Sequence, residues 1–204
     1  MKNFRSFTGL ALMICITSHV SAQRLINSVG FTISTLYGTT TDHFGSKNDM
    51  TLVQYYWTYS PRLNIVEMPN ASVSLDAPLG VILSGYSTNV NQNYIGYTNS
   101  VRDRGFIFGY VVPLCIDFNI GGRSTGDNFN HLGAYLGAGY DYEHFSIFGT
   151  KYSNYAGMSV GPVARVGMRF CFNGNHCTSI GAFYKRASDR DKLHTIGVSL
   201  VADI

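Results

Sequence analysis

Charged residues are scarce in this chain of 204 residues. Asp, Glu, Lys and Arg together make up 13% of it, about half of the fraction that is usual in soluble domains. The formal net charge is only +3, too small for the strong positive field that attracts nucleic acid. No apolar run after the first twenty or so residues is long enough for a spanning helix. These shortages argue against a nucleic-acid partner and against a helical membrane protein.

The first 22 residues have the three-part layout of a secretory signal peptide. Lys2 and Arg5 form a positive start, residues 7–16 are mostly apolar, and Val20-Ser21-Ala22 ends with small residues where signal peptidase cleaves. We predict that residues 1–22 are removed before Gln23 and that residues 23–204 form one domain. Loss of the two basic residues lowers the formal net charge from +3 to +1.

Cysteine is also rare, and three residues remain after the signal peptide: Cys115, Cys171 and Cys177. Secretion places them in an oxidising compartment. Cys171 and Cys177 flank a short turn, and the closing ends of a hairpin can bring two Cβ atoms within bridging range. We therefore predict a disulfide between Cys171 and Cys177, and a free, buried thiol at Cys115.

What the chain does have is glycine, tyrosine and phenylalanine in patterns typical of strands and turns. Aromatic residues make up 14% of the sequence, and there are 22 glycines. Apolar and polar residues alternate through eight segments separated by polar breaks. Longer connections follow the first, third and fifth segments, and mostly shorter ones follow the second, fourth and sixth. The segments are residues 27–37, 50–67, 71–86, 105–118, 131–148, 158–172, 178–187 and 193–204.

The two faces of these segments differ in character. One face is apolar, and the other carries Gly, Ser, Thr and Asn with few charges. Small residues suit the narrow interior of an eight-stranded barrel, where charges need partners. We predict an all-β fold, an eight-stranded antiparallel up-and-down transmembrane β-barrel. Its interior charge network would contain Arg62, Asp76, Asp117, Arg165 and Arg169; the alternative is that these are solvated surface charges.

Three stretches resemble the small eight-stranded, porin-like outer-membrane β-barrels of Gram-negative bacteria. They are Tyr59-Ser60-Pro61-Arg62-Leu63-Asn64, Gly137-Ala138-Gly139-Tyr140-Asp141-Tyr142, and residues 161–170. The resemblance implies that residues 23–204 lie in the cell outer membrane, in contact with its lipid, after insertion by the barrel-assembly machinery.

An eight-stranded barrel encloses little more than its own side chains, which argues against a general diffusion pore. We predict a structural or surface-interaction role in the cell envelope. Any surface ligand would bind external loops at about residues 38–49, 87–104 and 143–157. The sequence does not identify that ligand.

Two alternative functions stay open. His144 and Ser146 are two residues apart and share a strand face. They resemble the His-x-Ser pair of outer-membrane lipid A deacylases, in which the histidine activates the serine, although Ile147 stands where that family has Asn. A lipid A-modifying enzyme is therefore one alternative, while a non-enzymatic role is favoured. The other is a soluble, lipocalin-like lipid carrier whose apolar face lines a cavity.

No cofactor or metal site is predicted. His43, His131, His144, His176 and His194 remain after the signal peptide. None of them pairs with cysteine or carboxylate residues at the spacing of metal ligands. The Gly137-Ala138-Gly139 stretch lacks the third glycine and the helix of a phosphate-binding loop.

Overall fold

The computed structural model describes residues 25–41, 47–94, 97–125, 128, 130–149, 154–172, 176–188 and 192–204. The predicted signal peptide lies outside these residues and stays a prediction. The described chain forms nine strands: β1 Leu25–Thr41, β2 Lys47–Met68, β3 Ala71–Asp76, β4 Leu79–Tyr94, β5 Tyr97–Gly121, β6 Leu132–Gly149, β7 Asn154–Phe172, β8 His176–Arg186 and β9 Lys192–Asp203. No helix among the described residues has the length and hydropathy needed to cross a membrane.

The strands close into a ring. Apart from β3 and β4, consecutive strands pair antiparallel, and β1 pairs with both β2 and β9. The short β3 and the longer β4 both lie between β2 and β5 and follow one register, so they are two parts of one wall strand. They are separated at Ala77-Pro78, because Pro78 has no N–H to donate to a neighbour. The predicted eight-stranded up-and-down barrel is confirmed.

The paired residues also fix the stagger of the barrel. A path that starts at Thr35 and steps from each residue to its paired neighbour returns to β1 at Leu25. The two residues are ten apart on the same strand, and this offset is the stagger. The path passes through Ile196, Tyr184, Ala164, Ala138, Ile116, Leu75 and Leu63. With ordinary strand rise and spacing, this stagger tilts the strands by roughly 40°. A barrel of this size has room for side chains in its interior and for little else.

Alternate residues along each wall strand face outward, and most of these are large and apolar. Trp57 is 67% exposed, and Leu136, Ile116 and Leu200 are more than half exposed. An apolar surface that surrounds the whole wall fits the hydrocarbon of a bilayer and would be unstable in water. The soluble-carrier alternative placed this face inside a ligand cavity and is therefore wrong.

Three predicted loop boundaries are wrong, because the strands continue further than the apolar alternation does. β1 extends to Thr41 and β2 begins at Lys47, within the predicted loop 38–49. The predicted loop 87–104 is mostly the β4–β5 hairpin, and most of the loop 143–157 is strand. Antiparallel pairing uses backbone groups, so strands that rise into water need no apolar face. The connecting tips, 42–46, 95–96 and 150–153, lie outside the described residues.

The two ends of the barrel are distinct. Leu25 and the C-terminal Ile204 lie at one end, together with the Pro69-Asn70 turn and the β5–β6 and β7–β8 connections. We call this the terminal end. The β1–β2, β4–β5, β6–β7 and β8–β9 connections lie at the other, the hairpin end.

Candidate functional site in the barrel interior

The hairpin end of the lumen is filled by apolar side chains. We call this cluster the seal; it comprises Leu36, Leu52, Tyr56, Ile82, Ile107, Val111, Phe145, Ala187 and Leu193, all buried. Phe145 lies over Gly157 of β7, where any Cβ would collide with its ring. Such packing excludes water as a soluble core does. The seal was not predicted from the sequence. Its signal is the loss of alternation, since β5 is apolar on both faces near Ile107 and Val111.

A buried ion network lies next to the seal. Lys185 Nζ is 2.8 Å from Asp141 Oδ2 and 2.8 Å from Glu143 Oε2. Gln54 Nε2 donates to Glu143 Oε1 at 2.6 Å, and Ser34 Oγ donates to Gln54 Oε1 at 3.0 Å. We call this the lysine network. Each carboxylate is paired, which offsets much of the cost of its burial.

The lysine network was not predicted from the sequence, although the alternation of inward and outward residues along β6 and β8 contains it. Asp141 and Glu143 continue the inward face of Gly137 and Gly139, and Lys185 shares a face with Ser179. Glu143 was placed in an external loop, yet it is buried within β6. Extending the alternation to the ends of β6 and β8 would have found all three charges.

Three of the five predicted interior charges meet. Arg165 Nη2 is 2.5 Å from Asp76 Oδ2, and Arg165 also bonds Asp117 through Nε, at 2.8 Å, and Nη2. Ser60 Oγ donates to Asp76 Oδ1 at 2.6 Å. Asp117 fills the space opposite Gly137, where a Cβ would strike its carboxylate. These contacts form the Arg165 network.

The other two predicted charges, Arg62 and Arg169, lie nearer the terminal end and contact neither carboxylate of the Arg165 network among the described residues. Tyr135 connects the two groups. Its ring centroid is 5.5 Å from Arg165 Cζ and 5.7 Å from Arg169 Cζ, so both cations lie against the ring, within cation–π range.

The β5–β6 connection folds inward and closes the terminal end. Its backbone takes φ values of +75° at Gly121 and +56° at Arg123, which turn the chain back into the lumen. Its carbonyl groups accept hydrogen bonds from the wall: Arg62 Nη2 to Arg123 O at 2.8 Å, and Asn64 Nδ2 to Ser124 O at 3.1 Å. Ser124 is completely buried. We call residues 122–125 with Asn128 the floor.

A disulfide lies beside the floor. Cys171 and Cys177 are directly opposite on β7 and β8, and their sulfurs are bonded. The Cys171 N–H donates to the His131 carbonyl oxygen at 2.8 Å, so the β7 end also holds the end of the β5–β6 connection. Cys115 is a buried free thiol on the cavity wall.

A cavity of about 90 Å³ remains between the lysine network and the floor. Its lining includes Arg62, Arg165, Arg169, Asp76, Asp117, Asp141 and Asp203. A space of this size can hold water. We call it the chamber; charged side chains and apolar ones such as Val111, Val163 and Phe183 line it together.

Solved structures show where this architecture occurs. The chain matches Ail, the attachment invasion locus protein of Yersinia pestis, in complex with the heparin analogue sucrose octasulfate, at a TM-score of 0.52 and 14% identity, over 88% of this chain and 95% of Ail. Neisserial surface protein A matches at a TM-score of 0.50 and 10% identity, over 87% of this chain and 96% of that one. The chain has the fold of the small outer-membrane β-barrels.

No protein-family profile matches the sequence of this barrel, and no curated protein shows significant sequence similarity to it. The fold and the apolar outer surface together place it in the cell outer membrane. In such barrels short turns face the periplasm and longer loops face outward; because the β4–β5 hairpin extends furthest from the wall, we expect the hairpin end to be extracellular.

The His144 and Ser146 pair lies on the outer face of the barrel wall, away from the lumen. The His144 ring is 5.5 Å from the Tyr110 ring, while the neighbouring Glu143 points inward to Lys185. Among the described residues, no hydrogen bond joins His144 to Ser146, and no three His, Cys, Asp or Glu side chains converge as a metal site. The lipid A-modifying alternative stays a hypothesis, and a Ser146→Ala variant would test it.

Proposed function

We propose that this protein is a closed outer-membrane barrel that acts at the cell surface through its extracellular hairpins and does not conduct solutes. The observation that carries the proposal is closure of the lumen at both ends. The seal blocks the extracellular end with packed apolar side chains. The floor blocks the periplasmic end and is held by Arg62, Asn64, Ser72 and Arg169.

The height of the hairpins supports the surface role. β4 and β5 stay paired from Gly80↔Val111 as far as Tyr94↔Tyr97, well beyond the last pairing of β8 with β9, at Arg186↔His194. The protein therefore presents a tall hairpin on one side of its rim and a short one on another. Ail, which shares the fold, was solved in complex with the heparin analogue sucrose octasulfate, so a barrel of this shape can present a surface to a polyanion.

The rest of the proposal concerns assembly. The predicted signal peptide, residues 1–22, would direct export, and the barrel-assembly machinery would then insert residues 23–204 into outer-membrane lipid. In a closed barrel every wall strand pairs on both sides, so its backbone N–H and C=O groups are hydrogen-bonded. An open sheet would leave the groups of its edge strands without partners in hydrocarbon.

Conductance in planar bilayers tests closure directly. We expect the purified barrel to give no current steps, because neither end of the lumen is open. The double variant Phe145→Ala, Asn64→Ala serves as the comparison, because it weakens the seal and the floor together. We expect any residual conductance to be larger in this variant. Regular steps from the unmodified protein would contradict the proposal.

A shortened hairpin tests the surface role. Replacing residues 89–102 by Asn-Gly keeps the Thr88↔Asp103 pair and closes it with a favoured two-residue turn. We expect the shortened barrel to reach the outer membrane in the same amount as the intact one, but to lose cell adhesion to heparin-coated glass relative to bare glass. Equal adhesion by both forms would contradict a role for this hairpin.

A further inference from the structure

The wall strand formed by β3 and β4 places a proline directly opposite another proline. Pro78, at the break between β3 and β4, lies opposite Pro113 of β5, because the register with β5 is the same on both sides of the break, at Asp76↔Cys115 and Gly80↔Val111. Among the described residues, no pairing with β5 forms between those two pairs. Two neighbouring wall strands therefore meet through residues that have no N–H.

The carbonyl groups of the two prolines face each other across this break. In an antiparallel sheet the N–H and C=O of one residue point to the same neighbouring strand, and those of the next residue point to the opposite one. The Ala77 N–H donates to the Pro61 carbonyl oxygen of β2 at 3.1 Å, so the polar groups of Ala77 face β2 and the carbonyl of Pro78 faces β5. Two N–H groups would ordinarily donate to two carbonyl oxygens here, and proline supplies neither of them.

The outer side of the wall offers these two carbonyl oxygens no hydrogen-bond donor. The neighbouring residues Leu79, Val112 and Leu114 are apolar and exposed on the lipid-facing surface. Hydrocarbon has no donor, and a backbone group without a partner is costly in it. Among the described residues, no side chain donates to either oxygen. A donor for them therefore has to come from the inner side of the wall.

The chamber lies on the inner side of the wall at this point, and Pro78 and Pro113 both line it. Its volume of about 90 Å³ exceeds the roughly 10–15 Å³ that one enclosed water needs by the same kind of measure. Buried waters typically bond polar groups that lack other partners. One water molecule has two O–H donors, which match the two carbonyl oxygens that face each other here.

We propose that a water molecule of the chamber bridges β4 and β5 by donating to the carbonyl oxygens of Pro78 and Pro113. The water takes the place of the two N–H donors that proline lacks and completes the hydrogen bonding of the wall at this break. The seal and the floor separate it from both aqueous phases, so it is enclosed when the barrel folds and exchanges slowly. The site does not depend on the hairpins, so it stands or falls apart from the proposed surface role.

Water contacts measured by NMR test the site in the unmodified barrel. The chain has five prolines, so a barrel labelled with carbon-13 at proline alone gives few signals. We expect nuclear Overhauser cross peaks from water at Pro78 and Pro113, with the sign of a long-lived water, and none of that sign at Pro162, which is exposed on the outer face of β7. Absence of these peaks at Pro78 and Pro113, or peaks there from lipid or detergent in place of water, would overturn the proposal.

The variant Pro113→Ala tests whether the water lies between the two strands. The new alanine N–H can donate directly to the Pro78 carbonyl oxygen and takes the place of the water. We expect the water cross peak at Pro78 to disappear in Pro113→Ala and to remain in Pro162→Ala, the matched control; gel mobility before and after boiling shows that each variant has folded. The reciprocal variant Pro78→Ala, observed at Pro113, repeats the test from the other strand. A cross peak that persists in both variants would place the water elsewhere in the chamber and overturn the bridge.

Discussion

The seal and the floor close the same lumen by opposite chemistry. At the extracellular end, apolar side chains from the strands meet one another and need no specific partner. At the periplasmic end, a connecting segment enters the lumen and is held through its backbone carbonyls by arginine, asparagine and serine side chains. An apolar layer tolerates changes of shape as long as its volume is kept. A hydrogen-bonded layer depends on each partner, because a buried polar group left alone is costly.

We expect the largest loss of stability from a substitution in the polar part of the lumen. Arg165→Ala leaves Asp76 and Asp117 buried without a cation, and we expect it to lower the free energy of unfolding by about 4 kcal/mol. Urea unfolding followed by the fluorescence of Trp57, the single tryptophan, measures the loss. The triple variant Asp76→Asn, Asp117→Asn, Arg165→Gln removes all three charges and should recover a large part of it. A triple variant no more stable than Arg165→Ala would contradict the account.

Removing the centre of the seal should have the next largest effect. Phe145→Ala deletes a fully buried ring that packs over Gly157, and we expect a loss of about 3 kcal/mol from lost burial and the cavity left behind. Phe148→Ala on the same strand is the matched control, since Phe148 is outward and exposed. Similar losses for the two variants would show that the seal is not tightly packed.

The disulfide should contribute least of the three. Its sequence separation is 6 residues, so it closes a short loop, and we expect Cys171→Ala with Cys177→Ala to cost about 2 kcal/mol. Cys115→Ala, which removes a thiol but no bridge, controls for the loss of sulfur. Because the disulfide and Phe145 lie at opposite ends of the barrel, their effects should add in a combined variant. A clear departure from additivity would mean that the two closures are coupled.

The wall strands could be predicted from the sequence, because the alternation of apolar and polar residues can be seen within each strand alone. Residues such as Val53, Tyr55 and Trp57 face outward and Gln54 and Thr58 face inward, as the period of two requires. The same period, followed to the ends of β6 and β8, contains the lysine network. The ends of the strands were placed wrongly because hairpin pairing above the membrane leaves no mark in hydropathy.

The floor could not be predicted, because it depends on contacts between distant parts of the chain. Residues 119–130 have the composition of an ordinary glycine-rich connection. Only the folded barrel brings Arg62 and Asn64 of β2 against the carbonyls of Arg123 and Ser124. The same holds for the interior arginines. Their burial follows from the alternation of the strands, but the partners that each one meets depend on the stagger of the whole ring.

The stagger of ten residues has a consequence for how such a protein can change over generations. Inserting one residue into a wall strand would turn every side chain beyond it to the opposite face, placing apolar groups in the lumen and charges in lipid. Wall strands should therefore diverge mainly by replacement at fixed length, except where a β-bulge absorbs an extra residue, as the register shift between Asn64 and Val66 does. The extracellular hairpins are free of this constraint, so length variation, and with it novelty at the cell surface, should accumulate there.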